Sequence, residues 1–178
     1  MRPGEVYLAQ FPFGDVPGMK LRPVLLLTEA VGSVPEVLVA YISSAIPAQL
    51  LPSDVLLDPT KEESSTHLKT TSVLRLHKLA TIHCASLARH LGAIEAPTQT
   101  TVATKLKDLL KKMGISAHEL LRTKESIYRE LSLAQKQLSD DEIIDLMVKY
   151  PDLIQRPIVE KGAKAILARP AERINEIL

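Results

Sequence analysis

His77, His83, Cys84 and His90 crowd into one short segment, and each could ligate zinc or, in the case of Cys84, act as a thiolate. Their spacing matches neither C-x-x-C nor H-E-x-x-H, so the reading is no metal, no cofactor and a packed or idle thiol at Cys84. Arginine offers a different chemistry. Its guanidinium stays protonated, with a pKa above about 12, and its planar fork matches phosphoryl and other tetrahedral oxyanions. Arg22 stands at the head of an apolar run, and Arg169 lies just before a proline suited to begin a helix.

The elements that must position these residues change character along the chain. Val6 to Phe11, Pro23 to Thr28, Val37 to Ser43, Val55 to Asp58 and Ser72 to Ile82 are short β-branched and leucine-rich runs. Gly, Pro, Asp and Ser punctuate them, which predicts an antiparallel small barrel or compact sheet rather than βαβ units. After Ala96 the period becomes helical. Val102, Leu106, Leu109, Leu110 and Met113 form one stripe, closed by Lys111, Lys112 and Gly114, so a helix is expected over about 98–113. Ser116 with Glu119, and Ser139 with Glu142, match the capping-box pattern and predict two further helices, the second running to about Lys149. Arg156 to Ile158 and Ala165 to Ala168 suggest a hairpin through Lys161-Gly162, and a last helix is expected from Pro170 to Leu178.

Composition narrows the function classes. The chain has 178 residues, 46% of them hydrophobic, enough for one large domain or two small ones. Its net charge is +1, with 8 basic and 9 acidic residues before Thr98 and 14 and 12 from there on, so any nucleic-acid contact must rest on local placement of charge. Two Phe, four Tyr and no Trp argue against binding by extensive base stacking. No run approaches the roughly 18 apolar residues of a membrane span, and MRPGEVYLAQ lacks the layout of a signal peptide, so a cytoplasmic location without membrane contact is expected. A single cysteine allows no internal disulfide, in keeping with a reducing compartment.

GEVYLAQF, then LRPVLLLT, VLVAYISSAI with PSDVLLD, and HLKTTSVLRLHKLATI resemble, in order and spacing, the strands of the MazF/PemK toxins over about residues 4–110. The resemblance implies an SH3-like β-barrel that cleaves single-stranded RNA without a metal, usually as a homodimer and restrained by an antitoxin. By match of motif Arg22 is the family's catalytic arginine and Ser43 its catalytic Ser/Thr; Lys20 and Lys78 are candidates for RNA contact. Arg22 suits stabilisation of the charged transition state better than proton removal, and Ser43 would orient the phosphate or relay a proton. Two departures stand out. Lys78 and Ala80 occupy places where many of these toxins have Gln and Arg, and GDVPGMKL lacks the Glu that often precedes the arginine.

From about Leu106 the strings MGIS, LLRTK, LSDDEIIDLM, LIQRPIV and ARPAE resemble the C-terminal two-thirds of the ArsC/Spx-type arsenate reductases. That resemblance implies part of a thioredoxin-like domain in which Arg122, Arg156 and Arg169 surround an oxyanion, with Pro157 as a cis-proline. The half carrying the catalytic cysteine is replaced by the toxin-like part, so no covalent arsenate chemistry is expected unless another chain supplies that half.

The expectation is an α+β chain: a small antiparallel barrel over 1–97, a shared helix over 98–113 and an ArsC-like fragment over 114–178. Its favoured activity is endoribonuclease, the alternative a non-catalytic interaction or anion-binding module.

Overall fold

The structure is a computed structural model that describes residues 1–11, 20–61 and 65–178. Six strands form one antiparallel sheet: β1 (Glu5–Phe11), β2 (Lys20–Leu26), β3 (Glu36–Ser43), β4 (Asp54–Leu57), β5 (Ser72–His83) and β6 (Leu87–Ala93). Their order is β4-β5-β3-β2-β1-β6. Five of them coincide with apolar runs in the sequence. The sixth, β6, was not anticipated, because as an edge strand with mostly exposed or half-buried side chains it lacks a clean apolar alternation. Its place beside residue 65 depends on Gly92. The backbone there has φ +155°, and a Cβ would lie 1.8 Å from the Ser65 carbonyl oxygen, where Ser65 bridges to Ala93. At the opposite edge the Lys105 ammonium donates to the Pro52 and Asp54 carbonyls, both at 2.8 Å, and so blunts β4.

Helix α1 (Ala96–Lys112) lays Val102, Leu106, Leu109 and Leu110 on one face of this sheet. Leu25, Leu38, Ala40, Ile42, Leu74 and Leu76 point to that face by period two. The same core continues without a break into Ile143, Met147, Leu153, Ile154, Ile158 and Leu167 beyond the helix. A second, smaller core on the other face of the sheet joins Ala9, Val24, Leu26, Val37, Val39 and Cys84.

The tail contains α2 (Ser126–Glu130), α3 (Asp140–Lys149) and the hairpin β7 (Ile158–Lys161) and β8 (Lys164–Leu167). The capping box at Ser139 forms in full: the Glu142 amide donates to the Ser139 hydroxyl and the Ser139 amide donates to the Glu142 carboxylate. Ser116 begins no helix. Its hydroxyl accepts the His118 amide, three i→i−3 turns follow, and Leu121 then bridges to Ile154, so tertiary pairing draws the backbone out after one turn. The hairpin starts at Ile158 rather than Arg156 because Pro157 has no N–H for a ladder. The final helix is a short 3-10 segment, Ala171–Glu176, and α2 had no counterpart among the expectations. The hairpin stays a separate two-stranded sheet, packed with β7 on β5 and β8 on α1.

Candidate functional site

Antiparallel neighbours that stand directly opposite each other share a face of the sheet. Val24 pairs with Tyr41 as the last pair of the β2–β3 ladder, and Arg22 and Ser43 each lie two residues beyond it on their strands, on the same face by period two. Ala9 flanks Arg22 on β1, and Val73 flanks Ser43 on β5. Tyr41 pairs with Arg75 across a bulge in the β3–β5 ladder. Arg22, Ser43, Tyr41 and Arg75 therefore project from the face opposite α1, at the end of the sheet where side chains are half-buried rather than sealed. The Ser43 hydroxyl accepts the Ala45 amide at 3.2 Å and also caps the turn that follows β3. Among the described residues Arg22 enters no salt bridge.

The other two sequence candidates on the sheet lie further off in register. Lys20 opens β2 opposite Phe11. Lys78 is exposed and sits in the bulged stretch of β5, beyond the position opposite Tyr41. Arg75 and Tyr41 were missed by sequence reasoning. Period two from Ser43 would have found Tyr41, but Arg75 requires the β3–β5 register, bulge included. Its Nε is buried and has no hydrogen-bond partner, which leaves one donor of the guanidinium unused.

In the tail, two of the three candidate arginines come together. The Arg122 Nη2 lies 2.8 Å from the Glu125 Oε1. Burial pushes the Arg156 guanidinium below its ordinary value, and nearby Arg122 adds to this while Asp152 and Glu125 oppose it. Burial raises the Asp152 carboxyl; Arg156, Arg122 and a hydrogen bond from the Thr28 hydroxyl pull the other way. That hydroxyl also accepts the Leu38 amide at 3.0 Å, so it ties the tail to the sheet. The Arg156–Pro157 peptide is cis. Arg169 is exposed and takes part in none of these interactions.

The histidines part company. His83 accepts the Ala85 amide at 3.0 Å, and His90 packs on the Tyr7 ring with centroids 4.9 Å apart. His77 is buried in a polar joint, with its Nδ1 3.2 Å from the Ser53 hydroxyl, 3.9 Å from Asp54 and 3.8 Å from Glu160 of β7. Lys112 of α1 donates to the same Glu160. Among the described residues no group of three His, Cys, Asp or Glu is arranged to hold a metal ion, and no helix is long and apolar enough to cross a membrane.

Two family profiles match the sequence and overlap. The one described as "PemK-like, MazF-like toxin of type II toxin-antitoxin system" spans residues 2–110, and the one described as "ArsC family" spans 60–177. The uncharacterized protein YfgD of Escherichia coli (strain K12) is 48% identical over 77 residues, 43% of this chain and 65% of that protein. An arsenate reductase of the same strain is 45% identical over 74 residues, 42% of this chain and 52% of that enzyme. The chain thus spans between about half and two thirds of the length of these curated relatives. Among solved structures, the Mycobacterium tuberculosis toxin MazF-mt6 is 25% identical with a TM-score of 0.47, covering 58% of this chain and 93% of the toxin. A putative arsenate reductase from Yersinia pestis is 42% identical with a TM-score of 0.36, covering 42% of this chain and 67% of the other.

Proposed function

Because the chain belongs both to the PemK-like, MazF-like toxin family and to the ArsC family, we propose that it is a metal-independent endoribonuclease acting on single-stranded RNA through Arg22 and Ser43. The observation that supports this reading is that Arg22 and Ser43 each follow the last β2–β3 ladder pair, Val24–Tyr41, by two residues, on the same face of the sheet, where both are half-buried. In such a reaction the ribose 2′-hydroxyl attacks its own 3′-phosphate and the P–O5′ bond breaks, leaving a cyclic phosphate and a free 5′-hydroxyl. Negative charge grows on the phosphoryl oxygens as the bond forms. The Arg22 fork meets that charge, and the Ser43 hydroxyl orients the phosphate or relays the proton. Arg75, diagonal to Ser43 on the next strand, adds a second cation within reach of the same phosphate. Lys20 and Lys78 hold the flanking RNA backbone.

The toxin-like unit comprises 1–97, the shared helix 98–113 and the ArsC-like fragment 114–178. The active form is a homodimer in the cytoplasm, restrained by an antitoxin. One solved relative, "Endoribonuclease in complex with its cognate antitoxin from Mycobacterial species", is described as bound to such a partner. Purified protein incubated with mixed-sequence RNA in EDTA should yield cyclic-phosphate ends that disappear with Arg22→Ala. Intact RNA at high protein concentration would sink the nuclease reading and leave a binding module.

The tail arginines support no reductase reaction by this chain alone. The one cysteine, Cys84, is buried in the second core of the sheet, apart from Arg122 and Arg156. A surviving oxyanion site at Arg122, Arg156 and Arg169 is the second reading. It is favoured by the closeness of the first two and opposed by Glu125 and Asp152 beside them.

A further inference from the structure

The connection between β2 and β3 and the tail border a half-open cavity of about 800 Å³. One wall comes from the toxin-like part through Leu27, Thr28, Glu29 and Glu36, the other from the tail through Glu125, Ile127, Glu130 and Asp152. Neither family's portion of the chain supplies both walls. The volume suits a small organic molecule and is far larger than a lone ion needs.

The sign of the lining decides what fits. Five acidic residues line it, Glu29, Glu36, Glu125, Glu130 and Asp152, against the two basic residues Arg122 and Lys149, with Arg156 next to Asp152 and Arg122. Arg122 is already engaged by Glu125 at 2.8 Å. The Lys149 ammonium rests 5.3 Å from the centre of the Tyr150 ring, itself part of the lining. Glu29, Glu36 and Glu130 are exposed along the opening and give it a negative potential. Leu27 and Ile127 offer apolar surface between the charges.

We propose that this cavity binds an organic cation, an ammonium or guanidinium group carried on a short hydrocarbon body. The head meets the carboxylates, and the body covers Leu27 and Ile127. An oxyanion of the kind the tail arginines would otherwise suit meets a field of the wrong sign, because the carboxylates outnumber the cations. Since the ligand would touch both walls, its binding braces the sheet against the tail.

The test uses the full chain and agmatine as the probe, by titration calorimetry at low salt, with phosphate and arsenate run beside it. Agmatine should bind one to one and raise the melting temperature. The double variant Glu29→Gln/Glu130→Gln, both exposed and therefore neutral to folding, should weaken that binding at least tenfold while its circular dichroism stays unchanged. Three results would overturn the proposal: no agmatine binding at millimolar concentration, an affinity untouched by the double variant, or preferential phosphate or arsenate binding that is lost in Arg122→Ala. None of these readouts depends on nuclease activity, so the two proposals stand or fall separately.

Discussion

The Ser53 hydroxyl donates a hydrogen bond to the Glu160 carboxylate across 107 positions of sequence, and joins the beginning of β4 to the first strand of the tail hairpin. Lys112 of α1 donates to the other Glu160 oxygen, and the Glu160 side chain has no exposed surface. A carboxylate taken out of water is tolerable only with such partners. Three elements, the sheet, α1 and the tail hairpin, are held at one buried point.

Removal of that carboxylate should therefore be costly. Glu160→Ala removes the carboxylate that Lys112 and Ser53 share, leaving the part-buried ammonium with the Gly162 carbonyl but no counter-charge, at a cost of about 3 kcal/mol. Glu160→Gln keeps an acceptor and should lose less. Urea denaturation followed by circular dichroism measures both, and equal losses would show that charge plays no part.

The same joint sets a dependence on pH. Burial depresses the His77 imidazole below its ordinary value, outweighing Asp54 and Glu160, which raise it. The unfolded chain then takes up the proton at higher pH than the folded one, so stability is full above about pH 6.5 and falls on acidification. In His77→Gln the melting temperature should vary less between about pH 7 and pH 5 than in the parent. A parallel pair of curves would remove His77 as the source.

If the proposed RNA cleavage takes place, the side chain that meets the phosphoryl charge should matter most. Arg22→Ala should lower single-turnover cleavage by about a hundredfold or more, and Ser43→Ala by less. Arg22→Lys keeps the charge without the fork and should fall between the parent and Arg22→Ala.

Arg75 contributes differently, since its Nε has no partner to lose. Arg75→Ala should weaken RNA binding with little dependence on sequence and reduce the slope of log affinity against log salt by about 1. Its cost in stability should be smaller than that of Glu160→Ala, measured in the same urea series.

Much of this arrangement is legible in the sequence. β-Branched and leucine-rich runs bounded by turn residues marked β1 to β5, and the Ser139-Glu142 capping box marked α3 within a residue. Arg22 and Ser43 could be named from motif alone. The edge strand β6 could not be read, because a strand paired on one side and facing solvent carries no alternation to find. The Ser116 turn was mistaken for a helix because a cap signal is local, whereas the Leu121–Ile154 bridge that ends the turn is not.

Local order along the chain was enough to set the type of β1 to β5, α1 and α3 and the cap of α3, since these follow from short-range backbone preferences. Which face meets which neighbour was settled only by tertiary packing. Arg75 joins Tyr41 through a bulge, and Glu160 reaches Ser53 and His77 from the far end of the chain. Strand register and the pairing of buried charge are non-local: their energies depend on what else is brought out of water at the same point, and no window of sequence contains both partners.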